Sequence, residues 1–128
     1  AMIIDPESNT IVADGYNGPP RGGGNLCGGA HCERDTQKIK SGTHMEVGCH
    51  HAEMNAILNA ARRGTPTLNT EMIVTAEPCN MCARAIHHAG ITTVYALRGQ
   101  YTEQSGIKYL LANGVLVKFI PPVASCSS

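Results

Sequence analysis

The stretch HAEMNAILNAARRGTP, residues 51–66, is where the chain changes character. Ala52, Ile57, Leu58 and Ala61 recur with helical spacing, and Gly64 with Pro66 supplies a stop. A helix is expected from His51. Downstream, residues 72–76 read as a buried strand, 79–89 as a second helix closed by Gly90, and 93–97 as another strand. The order then repeats. Residues 103–113 suit a third helix with Gly114 as its cap, and 115–120 a final strand before Pro121-Pro122. Upstream, the apolar runs 1–4 and 10–13 flank Asp5-Pro6-Glu7-Ser8-Asn9, which is turn chemistry and predicts a hairpin. A hairpin followed by helix–strand alternation predicts a three-layer α/β/α domain around a mixed sheet.

The 128 residues are one domain's length and enough to bury a hydrophobic core without disulfide help. Lys plus Arg and Asp plus Glu each total 10, so the chain has no basic field to draw it onto nucleic acid phosphates. A nucleotide-sized substrate fits better. No apolar run approaches the roughly 20 residues that cross a bilayer, and no signal peptide opens the chain, so the reading is a soluble, cytoplasmic protein without a membrane partner. Residues 17–48 are rich in Gly, Pro, Cys and His without periodicity, and a stretch of that kind inside a domain is usually functional or pinned; a bound metal could pin it. The 6 cysteines cluster beside His31, His44, His50 and His51, which favours metal ligation over a disulfide scaffold.

Two segments carry the chemistry, His51-Ala52-Glu53 at one expected helix start and Pro78-Cys79-Asn80-Met81-Cys82 at the next. Cys79 and Cys82 share a helical face, and a helix N-terminus favours the thiolates that zinc requires. With His51 they make three protein ligands, leaving the fourth tetrahedral position for water, the pattern of a catalytic site. Zinc brings the pKa of such a water towards roughly 7. Glu53 is then placed to act as the acid/base that shuttles its proton. The combination of His-x-Glu with Pro-Cys-x-x-Cys is the signature of zinc deaminases.

Further stretches narrow the resemblance. Gly15-Tyr16-Asn17-Gly18-Pro19-Pro20-Arg21-Gly22, the Cys/His insertion after it, His51-Ala52-Glu53-Met54-Asn55-Ala56-Ile57, the Pro-Cys-x-x-Cys segment and Leu110-Leu111-Ala112-Asn113-Gly114-Val115 together resemble the deoxycytidylate (dCMP) deaminases of the cytidine deaminase superfamily. The resemblance implies a mixed five-stranded sheet between helices, zinc on His51, Cys79 and Cys82, the proton shuttle on Glu53, and a substrate-contacting amide on Asn17. It implies conversion of dCMP to dUMP with release of ammonia, a homo-oligomer, and nucleotide effectors. The family has a helix before its first strand, and that helix is expected to be missing from this sequence, which opens on a strand-like residue; the domain is expected over 1–123, with 124–128 a flexible tail. The segment Ala76-Glu77-Pro78-Cys79 is more like tRNA adenosine and purine deaminases.

The remaining polar residues carry weaker signals. Arg21, in a Pro- and Gly-rich loop, and Arg62 are candidate anion partners; an arginine near Arg62 is also linked in the family to effector binding at a subunit contact, while Arg62 and Arg63 equally suit a helix C-terminus. Tyr101 follows a strand where ligands of α/β folds lie, and could stack on the base, reach phosphate, or line the rim. Asn55 could hold the loop over the site, touch a nucleotide, or tie down backbone. Met45, Met54, Met72 and Met81 are expected to fill gaps in packing, and the tail residue Cys126 is given no role. Cys27, His31, Cys32, His44, Cys49 and His50 form a candidate second, structural zinc set, with free thiols and surface histidines as the alternative.

Two other functions compete. Deamination of a base within nucleic acid usually needs a basic channel and stacking aromatics, whereas this chain has zero net charge, no Trp and 1 Phe. A non-catalytic zinc-stabilised module would close its site with four protein ligands, and Glu53 beside three ligands argues against that.

Overall fold

Pro6 to Asn9 reverse the chain, with Asn9 in the left-handed region at φ 55° and the Glu7 N–H bonded to Asp5 Oδ1 at 3.0 Å. The strands on either side are β1 (Met2–Asp5) and β2 (Thr10–Asp14), paired antiparallel with a bulge between Ile3 and Ile4. This is the expected hairpin. The computed structural model describes residues 1–18, 38, 50–97 and 105–121.

Helix α1 (Ala52–Arg62) buries Glu53, Ala56 and Ala60, a stripe of helical spacing whose small members let the helix lie close to β2. Close approach fixes the residue opposite. A Cβ on Gly15 would stand 2.4 Å from Ala56 N and 2.5 Å from Ala52 O. Asn59 Nδ2 fastens the same contact by donating to Asp14 O at 2.8 Å.

Strand β3 (Glu71–Val74) pairs antiparallel with β1, and β4 (Thr93–Leu97) and β5 (Leu116–Ile120) follow in parallel, giving the order β2-β1-β3-β4-β5. The two parallel steps run the same way across the sheet. Their connecting helices, α2 (Asn80–His88) and α3 (Ile107–Ala112), therefore fall on one face by the right-handed crossover rule. They touch each other there, and α1 touches α2. The inward row Ile3, Met72 and Val94 is in register across the sheet and fully buried with Ile86 and Leu110. On the opposite face Tyr95 lies half-buried between Glu71, to which its hydroxyl donates at 3.5 Å, and Lys118, 5.8 Å from its ring centroid.

The mixed five-stranded α/β architecture is as expected, and two boundaries differ by more than one residue. Strand β3 ends at Val74 instead of residue 76, because Thr75 and Ala76 bend towards the start of α2. Helix α3 begins at Ile107, four residues later than periodicity predicts, and Ser105 and Gly106 are drawn out of it. Ser105 bridges Cys79, while Gly106 N–H donates to Pro78 O at 2.6 Å. Each helix stops at the glycine expected of it; Gly90, at φ 81°, takes the left-handed conformation that ends α2. Among the described residues no helix is long and apolar enough to cross a membrane.

Substituting Gly15→Ala forces a methyl into the α1 backbone and is expected to lower stability by about 1–3 kcal/mol, the usual scale of overpacking. Urea unfolding measures it. An unchanged midpoint would show that α1 and β2 are not held in this close contact.

Candidate active site

Helices α1 and α2 begin side by side, and their N-cap residues are His51 and Cys79, both with extended backbone. Cys82 lies one turn into α2, so its sulfur returns to the same side as that of Cys79. His51 Nδ1 stands 3.4 Å from each sulfur, and all three ligand atoms lie within 4.8 Å of one another. Tetrahedral zinc with ordinary Zn–S and Zn–N bonds separates sulfur from nitrogen by about 3.6 Å. The donor set therefore fits zinc in number, softness and spacing. A fourth protein ligand is not part of this cluster among the described residues.

The protons of the site are coupled. The Cys79 thiol is held down to about 3, first by the hydrogen bond from the Cys82 thiol, against burial, and then by His51 and the Cys82 backbone N–H. Cys82 is pushed the other way, first by that same bond, then by burial and the neighbouring Glu53 charge. Both sulfurs bind a metal as thiolates, so metal binding here would release thiol protons.

Glu53, in the first turn of α1, is only 8% exposed. Burial raises its carboxyl above the ordinary range, against the lowering effects of its own backbone N–H and of His51. A carboxyl whose charged form is destabilised by burial takes up a proton more readily than an exposed one.

With its ring turned to the sulfurs, His51 gives α1 no side-chain cap. Asn17 supplies one from 35 residues away, its Oδ1 accepting from Ala52 N at 2.8 Å. That bond uses one lone pair of the amide oxygen and fixes the plane of the Asn17 amide. Asn55 is a backbone tie: its Nδ2 donates to Tyr16 O at 2.8 Å and approaches Gly18 O and His50 O at 3.4 Å. Asn59, four residues on, stands out only as a second polar residue on a face otherwise made of small apolar ones.

Arg62 is exposed in the last turn of α1, roughly 15 Å along the helix from Ala52. That end faces away from the ligand cluster, which suits an effector or subunit contact better than the phosphate of a substrate held at Glu53. Met72 packs in the core as expected, but Met81 is 56% exposed on the outer side of α2. His50 Nδ1 is buried without a hydrogen-bond partner among the described residues. The other members of the second metal set, Cys27, His31, Cys32, His44 and Cys49, lie outside the described residues, as do Arg21, Tyr101, Met45 and Cys126.

Comparison with known proteins agrees with this geometry. The sequence model of the cytidine and deoxycytidylate deaminase zinc-binding region matches residues 1–98. ComE operon protein 2 of Bacillus subtilis is 41% identical over 85 residues, 66% of this chain and 41% of that protein. Deoxycytidylate deaminase of Homo sapiens is 35% identical over 135 aligned positions, covering 99% of this chain and 68% of the relative. The chain thus spans well under half of the Bacillus protein and about two thirds of the human one. The dCMP deaminase of cyanophage S-TIM5, solved in complex with dCMP and dUMP, superposes with a TM-score of 0.70 at 27% identity, over 93% of this chain and 78% of that one.

Cys79→Ala and Cys82→Ala are each expected to lose one equivalent of zinc and to melt at lower temperature, since metal binding here contributes to folding. Metal analysis by mass spectrometry and a thermal melt give the two readouts. Full zinc content in both variants would remove these sulfurs from the site.

Proposed function

The chain belongs to the cytidine and deoxycytidylate deaminase family, and from that premise we propose that it hydrolyses dCMP to dUMP and ammonia. The observation carrying this reading is the buried Glu53 carboxyl, two residues from His51 and close enough to Cys82 to shift its proton affinity. Relatives named for deoxycytidylate, and the cyanophage enzyme solved with dCMP and dUMP, support the base and the phosphate state.

In this reading His51 Nδ1, Cys79 Sγ and Cys82 Sγ hold zinc, which when bound supplies a Lewis acid with a position for water and brings that water's pKa towards roughly 7. Glu53 accepts a proton from the attacking water as a C–O bond forms at the amine-bearing ring carbon. It passes that proton to the ring nitrogen, and carries the second water proton to the amine as the C–N bond breaks. Water's oxygen ends in the ring carbonyl and its two protons on the ring nitrogen and ammonia. A carboxyl whose charged form is weakened by burial is suited to both directions of transfer.

Asn17 offers an amide N–H to an acceptor on the substrate, fixed in direction by its bond to Ala52. Arg21 is assigned to the phosphate and Tyr101 to the base or phosphate. Arg62, at the far end of α1, is assigned to an effector or to a second copy of the chain in a homo-oligomer. A reducing cytoplasm suits two thiols kept for metal, and the second zinc is assigned to Cys27, His31, Cys32 and Cys49.

Glu53→Gln is expected to keep zinc while losing at least about a hundredfold in turnover, the scale of general acid/base help. Ammonia release by the metal-loaded variant measures it, and near-normal turnover would remove Glu53 from the mechanism. Across substrates, kcat/KM is expected to be higher for dCMP than for deoxycytidine, a guanine nucleotide or a short single strand, because binding energy from the phosphate can align the ring. Deoxycytidine equal to dCMP would overturn the phosphate assignment. A better purine would make the segment from Ala76 to Cys79 the truer guide to the base.

A further inference from the structure

Helix α1 starts on a metal-ligand residue, and this creates a structural problem of its own. The first N–H groups of any helix lack partners within the helix, and the N-cap side chain commonly satisfies one. Here the N-cap is His51, whose Nδ1 faces the two sulfurs. The Ala52 N–H is bonded instead by Asn17, whose loop must be held in place for that bond to exist.

We propose that Asn55 is a positioning residue that locks the Asn17 loop to the metal-binding end of α1. It lies one turn beyond His51, and its own N–H donates to His51 O at 3.0 Å. From there Nδ2 takes Tyr16 O at 2.8 Å, the carbonyl immediately before Asn17, and approaches Gly18 O, the carbonyl of the residue after it, at 3.4 Å. His50 O, which precedes the metal ligand, lies at the same 3.4 Å. Two amide hydrogens thus serve three carbonyls, with the Tyr16 bond the strongest. The carbonyls of Tyr16 and Gly18, the residues on either side of Asn17, and the carbonyl entering His51 share one donor group. Gly18 and His50 are also bridged directly through their backbones, so loop and ligand move as one body.

Removing this donor leaves the helix intact, since every backbone bond within α1 remains, but loosens the loop. Asn17 then loses its fixed position over Ala52, and with it the aim of its amide. Loss of one neutral hydrogen bond corresponds to about tenfold in an equilibrium. The kinetic part of the proposal rests on the deaminase reading above; the part concerning loop position does not.

Asn55→Ala, Asn17→Ala and the double variant, each loaded with zinc, test it by amide hydrogen exchange and by kinetics on dCMP. Asn55→Ala should speed exchange at the Ala52 amide by about tenfold, as Asn17→Ala does, while amides in the middle of α1 keep their protection. It should raise KM for dCMP by a similar factor and change kcat far less, and the double variant should be no worse than Asn17→Ala alone. If Asn55→Ala does not fold, Asn55→Ser carries the same comparison. Unchanged exchange at Ala52 overturns the positioning role, and so do fully additive effects on KM. A wild-type protein that releases no ammonia would sink the deaminase reading, while exchange at Ala52 would still decide the role of Asn55.

Discussion

Three soft donors meeting at one point constrain everything around them. His51 Nδ1 and the sulfurs of Cys79 and Cys82 can approach to 3.4 Å only if α1 and α2 begin side by side. That fixes where β3 must deliver the chain to α2. The two sulfurs are buried together, an arrangement that a divalent cation stabilises once both are thiolates. The tight contacts follow from the same demand. Gly15 lies where α1 presses on the end of β2, and Gly106 lies where a Cβ would meet Ala83 Cβ at 2.4 Å and Cys79 O at 2.6 Å. Both glycines sit directly behind a ligand-bearing segment.

Giving the N-cap of α1 to a metal ligand has a consequence for the loop beside it. A helix beginning on an ordinary serine or aspartate caps itself, whereas this one borrows Asn17. The residue that resemblance marks for substrate contact is therefore structural as well. Its oxygen accepts from the first N–H of α1, and its amide is oriented by that bond. Glu53 depends on the same helix start, because its burial beneath the site comes from its place in the stripe with Ala56 and Ala60.

Much of this was legible in the sequence. The hairpin turn, the three glycine stops and the alternation of helices with strands gave the order of elements, since each depends on local chemistry or short periodicity. The ligand pattern pointed to His51, Cys79 and Cys82 because three cysteine- or histidine-type donors at helix starts have few other uses. What local pattern could not show is pairing across distance. Asn17 and Ala52 are 35 residues apart, and Asn55 and Tyr16 are 39 apart. Helix α3 was expected too early for the same reason: Ser105 and Gly106 have a helical context in sequence, and only their partners at Cys79 and Pro78 draw them out of it.

Glu53 and the His/Cys/Cys cluster are proposed to move water onto a cytosine ring. Turnover of dCMP by the zinc-loaded protein in ¹⁸O-labelled water tests it most directly, read by mass spectrometry of the product base. The account requires uracil carrying one ¹⁸O atom per ammonia released, with no conversion once the metal is removed. Absence of dUMP from the loaded protein, or dUMP whose new carbonyl oxygen is unlabelled, would contradict it.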